Sequence, residues 1–68
     1  MRYRIIYEIP GDVALVDFDK PELEWIESCG RLWLAVSDKL WVPASNIIRL
    51  CDTRGDVDFP IPDAAPLL

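Results

Sequence analysis

Hydrophobic and charged residues alternate over residues 2–9, interrupted only by Ile6. The apolar positions fall on one side of an extended segment and the charged positions on the other; the apolar set is Tyr3, Ile5, Tyr7 and Ile9. A period of two is typical of a β-strand with one buried face. Pro10-Gly11 then predicts a type II turn, because Pro presets φ and Gly accepts the positive φ that follows. Residues 13–18 are apolar on both faces, which predicts a strand covered on both sides.

Residues 19–30 are compatible with two structures. In the first, Pro21 begins a short helix at residues 20–29, and Gly30 ends it. In the second, residues 23–27 alternate as a strand, and Cys29-Gly30 forms a two-residue hairpin turn. The strand agrees better with the register of the segment that follows, and we therefore favour it.

Residues 30–50 organise the rest of the chain. They contain two apolar strands, a turn and a third strand. The first two strands share an apolar face only if the loop between them has an odd length, because a slip of one residue moves every side chain to the opposite face. We therefore expect a loop of Ser37-Asp38-Lys39, which pairs Val36 with Leu40.

The same register continues backwards through the Cys29-Gly30 turn, placing Trp25 opposite Leu34 and Ile26 opposite Trp33. One face of this sheet is predicted to be the core: Leu23, Trp25, Leu32, Leu34, Val36, Leu40 and Val42. The other face carries Ile26, Trp33, Ala35 and Trp41, and few elements of so short a chain remain to cover it. Two Trp side chains offer on the order of 150–250 Å² of contact area each. Because an exposed apolar cluster of this extent marks an interaction site, Ile26, Trp33 and Trp41 are predicted to bind a partner.

The strand pattern is interrupted from Pro43 to Asn46, since Pro lacks an N–H, and Ser45 and Asn46 hydrogen-bond locally. A 3-10 turn is predicted there, followed by a short last strand. The sequence WLA at positions 33–35, a hairpin, and then VPASNI at positions 42–47 resembles the second half of an SH3-like barrel. The resemblance covers residues 30–50 and implies an all-β fold, a small SH3-like barrel or a meander of about five short strands. A helix at residues 20–29 would make the class β-rich α+β.

The composition changes at residue 52. Residues 52–68 contain three of the six prolines, scattered acids and no alternation. We therefore predict a single β domain over residues 1–51 and a flexible, acidic tail over residues 52–68. The tail contains an apolar strip, Phe59, Pro60, Ile61 and Pro62. We predict that this strip docks on a neighbouring surface, and the exposed cluster of Ile26, Trp33 and Trp41 is one candidate.

Acidic residues outnumber basic ones by 12 to 7, giving a formal net charge of −5. An acidic patch is predicted in the first half of the chain, formed by Asp17, Asp19, Glu22, Glu24 and Glu27. Nucleic-acid binding draws on Lys and Arg to neutralise phosphates, so direct binding to DNA or RNA is not expected. The patch favours a protein partner with a basic surface. Alternatively, the acids mimic a run of phosphates, and the protein inhibits an enzyme that handles DNA or RNA.

The sequence carries no signature of a catalytic or metal site. It has no histidine, no Gly-rich phosphate loop and no serine in a nucleophile elbow, so we expect no enzyme activity, no cofactor and no bound metal. Cys29 and Cys51 are predicted to be buried or half-buried free thiols in a reducing cytosol. Because neither a signal peptide nor a run of about 20 apolar residues is visible, we expect a cytoplasmic protein without membrane contact.

These observations together predict a small, non-enzymatic protein-binding module. A chain of this length buries a thin core, and association often supports such cores, so a homodimer is a further expectation. The small size favours a phage-encoded or accessory protein that inhibits or adapts a larger host protein through Ile26, Trp33 and Trp41.

Overall fold

The computed structural model describes residues 1–62 and contains six β-strands and one turn of 3-10 helix. The strands are β1 (Arg2–Ile9), β2 (Asp12–Asp19), β3 (Trp25–Ser28), β4 (Arg31–Ser37), β5 (Leu40–Pro43) and β6 (Ile47–Asp52), and the 3-10 turn is Ala44–Asn46. They form two three-stranded antiparallel sheets, ordered β2-β1-β6 and β3-β4-β5. The predicted all-β class and the 3-10 turn are confirmed, with six strands instead of about five. Within residues 1–62 the two sheets do not close into a continuous barrel.

The first hairpin joins β1 and β2 through Pro10-Gly11. Gly11 has a φ of +80°, the left-handed conformation expected after Pro in a type II turn. Tyr3 lies opposite Phe18, and Ile5 lies opposite Val16. Side chains alternate between the faces of a sheet, so these four residues point to the same side, which is the core.

β2 is covered on one face only, and the prediction of a strand covered on both sides is wrong. Val13 and Leu15 are 50% and 55% exposed. They share the outer face of the sheet with Asp17 and Asp19, because side chains two residues apart point the same way. The apolar residues of β2 therefore divide into a core-facing set and a solvent-facing set.

The helix considered for residues 20–29 is wrong, and a strand is confirmed over residues 25–28. Ser28 lies opposite Arg31, so Cys29-Gly30 is the predicted two-residue turn. φ is +55° at Cys29 and +72° at Gly30. Positive φ at both central residues is characteristic of a type I′ turn, whose twist matches that of the two strands it joins.

The predicted register of the second sheet is confirmed at its centre. Trp25 lies opposite Leu34, and Ile26 lies opposite Trp33. On the other side of β4, Leu34 lies opposite Val42. Leu34 thus occupies the middle of the core-facing side of this sheet and is fully buried.

The predicted three-residue loop between β4 and β5 is wrong. Ser37 pairs with Leu40, so the turn contains only Asp38-Lys39. A β-bulge in β4 absorbs the difference, with Val36 as the extra residue between two ladder pairs. Because of the bulge, Val36 and Leu40 both still contact the core. β4 and β5 do share an apolar face, as predicted. The bulge in β4 produces this arrangement, and not an odd-length loop.

The core lies between the two sheets and receives side chains from both. Its buried cluster consists of Tyr3, Ile5, Phe18, Leu34, Val36, Val42, Ile47 and Leu50. Among the residues predicted for the core, Leu23, Trp25 and Leu40 pack against this cluster. Leu32, also predicted, is half-buried and lies outside the cluster. The predicted apolar face of the second sheet is therefore covered by β1, β2 and β6.

Residues 53–62 fold back along β6. The backbone N–H of Asp52 donates to the carbonyl oxygen of Val57 at 3.0 Å, and that of Phe59 donates to the carbonyl oxygen of Leu50 at 2.8 Å. The first part of the predicted tail therefore hydrogen-bonds to the outer edge of β6. Residues 63–68 of the predicted tail lie outside the described residues, and the domain boundary at residue 51 stays a prediction.

Candidate interaction surfaces

The outer face of the second sheet carries the three residues predicted to bind a partner, Ile26, Trp33 and Trp41, here called the Trp surface. Ile26 lies directly opposite Trp33 on the neighbouring strand. Trp41 lies opposite Ala35 and is therefore diagonal to Trp33, a separation that large side chains span. All three lie outside the core cluster of residues 1–62. The register thus brings them together in one row that crosses β3, β4 and β5.

Trp33 forms the base of the Trp surface. Its indole Nε1–H donates a hydrogen bond of 3.1 Å to the backbone carbonyl oxygen of Ser28. The indole must therefore extend along β3 towards the Cys29-Gly30 turn. A half-buried Trp whose polar atom is satisfied in this way stabilises the β3–β4 hairpin and holds its ring in a fixed place.

Trp41 is the exposed member of the Trp surface. Its side chain is 45% exposed, and it projects from β5, at the edge of the second sheet. Ala35, directly opposite, is only 4% exposed. A methyl side chain between large aromatic neighbours is shielded by them, so its burial requires no further element over this face.

Two residues of the first sheet form an ion pair that includes one acid of the predicted patch. Arg4 Nε donates to Asp17 Oδ1 at 2.8 Å, and Arg4 Nη2 donates to Asp17 Oδ2 at 3.1 Å. This two-point geometry is the strong form of an Arg–carboxylate contact. The hydrogen bonds from Arg4 hold the pKa of Asp17 below its ordinary value and raise the pKa of Arg4.

Other acids of the predicted patch also have cationic partners. Asp19 accepts a hydrogen bond from the N-terminal ammonium at 3.2 Å, and Glu24 accepts one from Lys20 at 3.0 Å. Glu22 and Glu27 are exposed and have no ion pair among residues 1–62. Because three of the five carboxylates are paired, they do not form a continuous row of free negative charge. This pairing weakens the argument for a phosphate mimic.

The predicted docking strip lies on the core and not on the Trp surface. The rings of Phe59 and Tyr3 are 5.2 Å apart in an edge-to-face arrangement. Ile61 also packs against the core cluster, whereas Pro60 and Pro62 are exposed. Alternate residues of the strip therefore contact the domain, as in an extended segment lying on a surface.

A second exposed apolar surface, which is not among the predicted sites, is formed by Val13 and Leu15 on the outer face of β2. The signal was present in the pattern. Val13 and Leu15 share their parity with Asp17 and Asp19, and a face that ends in two carboxylates is a solvent face. The apolar character of both sides of β2 concealed this signal.

The structure of residues 1–62 contains no group of three or more His, Cys, Asp or Glu side chains placed to hold a metal ion. Over the same residues, no helix has the length and apolarity needed to cross a membrane. Both cysteines are free thiols. Cys51 is buried, as predicted, but Cys29 is exposed, so the prediction of a buried or half-buried thiol is wrong for Cys29.

Comparison of the chain with protein-family models, with curated proteins and with solved structures found no match. Its function is therefore argued from its own surfaces.

Proposed function

We propose that the protein is a non-enzymatic protein-binding module that contacts its partner through the Trp surface. The observation that carries this proposal is the 45% exposure of Trp41. A Trp side chain offers on the order of 150–250 Å² of contact area, so about 100 Å² of this residue is open to a partner. Covering that area contributes about 2–3 kcal/mol to binding, which is the range of an interface hot spot.

The surroundings of Trp41 support the proposal because they are already ordered. Trp33 is held by its hydrogen bond to Ser28, and Ile26 lies across from it in the same ladder. A surface that is ordered before binding loses less conformational entropy when the partner arrives. The row is therefore suited to a partner with an apolar centre of complementary shape.

The partner we propose also carries basic residues around that centre. Glu22 is an exposed acid four residues before Ile26, whereas Glu27 is exposed on the opposite face of β3, and the whole chain has a net charge of −5. A partner with Lys or Arg at its rim would encounter this protein faster at low ionic strength. Binding should therefore weaken with added salt, while the contribution of Trp41 should persist.

We also interpret the fold as an open form of the SH3-like architecture. The strand orders β2-β1-β6 and β3-β4-β5, with a 3-10 turn between β5 and β6, support this interpretation. A fold of this kind supports binding in general and does not specify a ligand. That the partner is a larger host protein, inhibited or adapted in the cytoplasm, stays a prediction.

The test compares Trp41→Ala with a matched control, Ile48→Ala. Ile48 is 51% exposed and belongs to β6 of the other sheet, so both variants remove a solvent-facing apolar side chain. Wild-type protein and both variants are immobilised, and the proteins each retains from a lysate are identified by mass spectrometry. We expect a partner that wild type and Ile48→Ala retain and Trp41→Ala loses.

The affinity of that partner is then measured with both variants. A loss of about 2 kcal/mol for Trp41→Ala, equivalent to about 30-fold, agrees with a hot spot. Thermal unfolding of Trp41→Ala must stay cooperative, which shows that the variant is folded. Equal retention by wild type and Trp41→Ala would contradict the proposal, as would the absence of any specifically retained protein.

A further inference from the structure

A second surface is distinct from the Trp surface and lies at the edge of β2 that no strand of residues 1–62 covers. β2 is eight residues long and is the last strand of its sheet, with β1 as its partner. The backbone N–H of Lys20 donates to the carbonyl oxygen of Met1 at 3.0 Å. Backbone groups alternate in direction along a strand, so the even-numbered residues of β2 bond to β1. The N–H and C=O groups of Val13, Leu15 and Asp17 therefore point away from β1, towards the edge.

This edge lacks most of the features with which proteins normally prevent strand pairing. Edge strands are usually short, or carry charged side chains (Lys above all), Pro or a bulge, and of these β2 has only its three aspartates. β2 contains no Lys or Pro, and its pairing with β1 continues without a shift from Asp12 to Asp19. Val13 and Leu15 are about half exposed beside these backbone groups, of which the N–H of Val13 donates to Asp12 Oδ1 at 2.7 Å. A long, regular and apolar edge of this kind is a template for another strand.

The charges along the edge favour a second copy of this chain over a basic peptide. Asp17 is bound at two points by Arg4, and Asp19 accepts a hydrogen bond from the N-terminal ammonium. Asp12 accepts a hydrogen bond from the N–H of Val13 at 2.7 Å but has no ion pair among residues 1–62, so one of the three carboxylates of β2 keeps its free charge. Two copies can approach each other here without opposing rows of unpaired carboxylates.

We propose that β2 pairs antiparallel with β2 of a second copy, joining the two first sheets into one six-stranded sheet with Leu15 on the two-fold axis. In an antiparallel pair, residues directly opposite each other share a face of the sheet. An odd-numbered residue of β2 must therefore lie opposite an odd-numbered residue of the second copy, and an even-numbered residue opposite an even-numbered one. With Leu15 opposite its own copy, positions 12–18 overlap, and Val13 faces Asp17 of the second copy. This register places no acid opposite another acid.

The neighbouring registers are less favourable. Moving the axis to Val16 sets Leu15 opposite Asp17, which replaces an apolar contact by an apolar–charged one. Moving it to Ala14 shortens the overlap to positions 12–16. The Leu15 register combines the long overlap with apolar contact and offers about six backbone hydrogen bonds, two from each of three pairs. Two of the six require the N–H of Val13 in each copy to exchange Asp12 Oδ1 for the opposite strand. An interface of one strand is small, so the dimer is weak and depends on concentration.

The first test is sedimentation equilibrium of the full chain over a range of concentrations, with thiols kept reduced. We expect the mass to rise from 7.8 kDa towards twice that value with concentration. Added salt should strengthen the dimer, because each copy has a net charge of −5 and screening reduces their repulsion. Leu15→Lys should weaken dimerisation at least about tenfold, because a Lys at the axis would meet its own copy.

The second test fixes the register by cross-linking. Leu15→Cys in a Cys29→Ser background should form a disulfide-linked dimer on oxidation, since residues directly opposite in an antiparallel pair have Cα atoms about 5.5 Å apart. Ile48→Cys in the same background is the control for an equally exposed thiol and should cross-link much more slowly. Cooperative unfolding of each variant establishes that it is folded.

Four results would overturn the proposal. The first is a single mass at all concentrations, and the second is equal cross-linking at positions 15 and 48. The third is a dimer that is lost with Trp41→Ala but not with Leu15→Lys. The fourth is a chain that dimerises only after residues 63–68 are removed. The third result would place the second copy on the Trp surface, and the fourth would place the end of the chain on the edge of β2.

Discussion

The turn between β3 and β4 makes a specific prediction about stability, because Cys29 occupies a conformation that suits other residues better. Its φ is +55°, and Cys29 is the one non-glycine residue with positive φ in the part of the chain that the structure describes. The left-handed conformation costs an ordinary L-residue roughly 1–2 kcal/mol, whereas Asn tolerates it well. Asn-Gly is also the preferred pair in a type I′ turn. Cys29→Asn should therefore stabilise the protein by about 1 kcal/mol.

Little else should change on this substitution. The thiol is exposed, and among residues 1–62 its one polar contact is a 3.8 Å approach from the hydroxyl of Ser28, so the substitution removes little packing. In a domain of 60–100 residues, 1 kcal/mol corresponds to a shift in Tm of about 4–8 °C. Thermal unfolding followed by circular dichroism, with reducing agent present and at dilute concentration, measures this shift directly.

The matched variant is Gly30→Ala in the same turn. Gly30 has a φ of +72°, and a Cβ added there meets no atom within 4 Å, so its cost is conformational and not steric. It should lower stability by about 1–2 kcal/mol, the same physical effect with the opposite sign. An unchanged or lower Tm for Cys29→Asn, or an unchanged Tm for Gly30→Ala, would refute the assignment of this turn.

Two further predictions concern the tail and the ion pair. Phe59→Ala removes a half-buried ring that packs edge-on against Tyr3 and should destabilise the protein by about 1–3 kcal/mol. Pro60→Ala, at the exposed neighbouring residue, should change stability by less than about 0.5 kcal/mol. Equal denaturation midpoints for the two variants would contradict the packing of Phe59. The pKa of Asp17 is lower in the folded chain than in the unfolded chain, so its contribution to stability is present at neutral pH and is lost as pH falls below about 4 through the folded-state pKa. The Tm difference between wild type and Asp17→Asn should therefore shrink between pH 7 and pH 2, and a difference independent of pH would argue against the Arg4 contact.

Much of the candidate site was predictable because register is a local property. The alternation on each side of the Cys29-Gly30 turn is sufficient to set Ile26 opposite Trp33, and the need for one apolar face sets Leu34 opposite Val42. The error at Ser37-Asp38-Lys39 shows the limit of this reasoning. A loop of three residues and a two-residue turn with a bulge give the same faces, so the pattern alone does not distinguish them.

The exposure of each face could not be predicted in the same way. The sequence shows that β2 has two apolar sides, but only the pairing with β1 and the packing of the two sheets decide that Phe18 is buried and Leu15 is not. The same holds for Phe59, which belongs to a segment whose composition suggested a free tail. Its contact with Tyr3 joins residues far apart in the chain, and no local pattern encodes such a contact.

The sequence by itself determined the β-strands, the turns at Gly11 and Gly30, and the side of the second sheet on which Trp33 and Trp41 lie. These features follow from interactions between residues that are close in the chain, through side-chain alternation and backbone φ. The tertiary structure alone decided which apolar residues remain in water, and it left β2 at the edge of its sheet. Those properties depend on which surfaces meet when the two sheets pack, and that is a property of the whole fold.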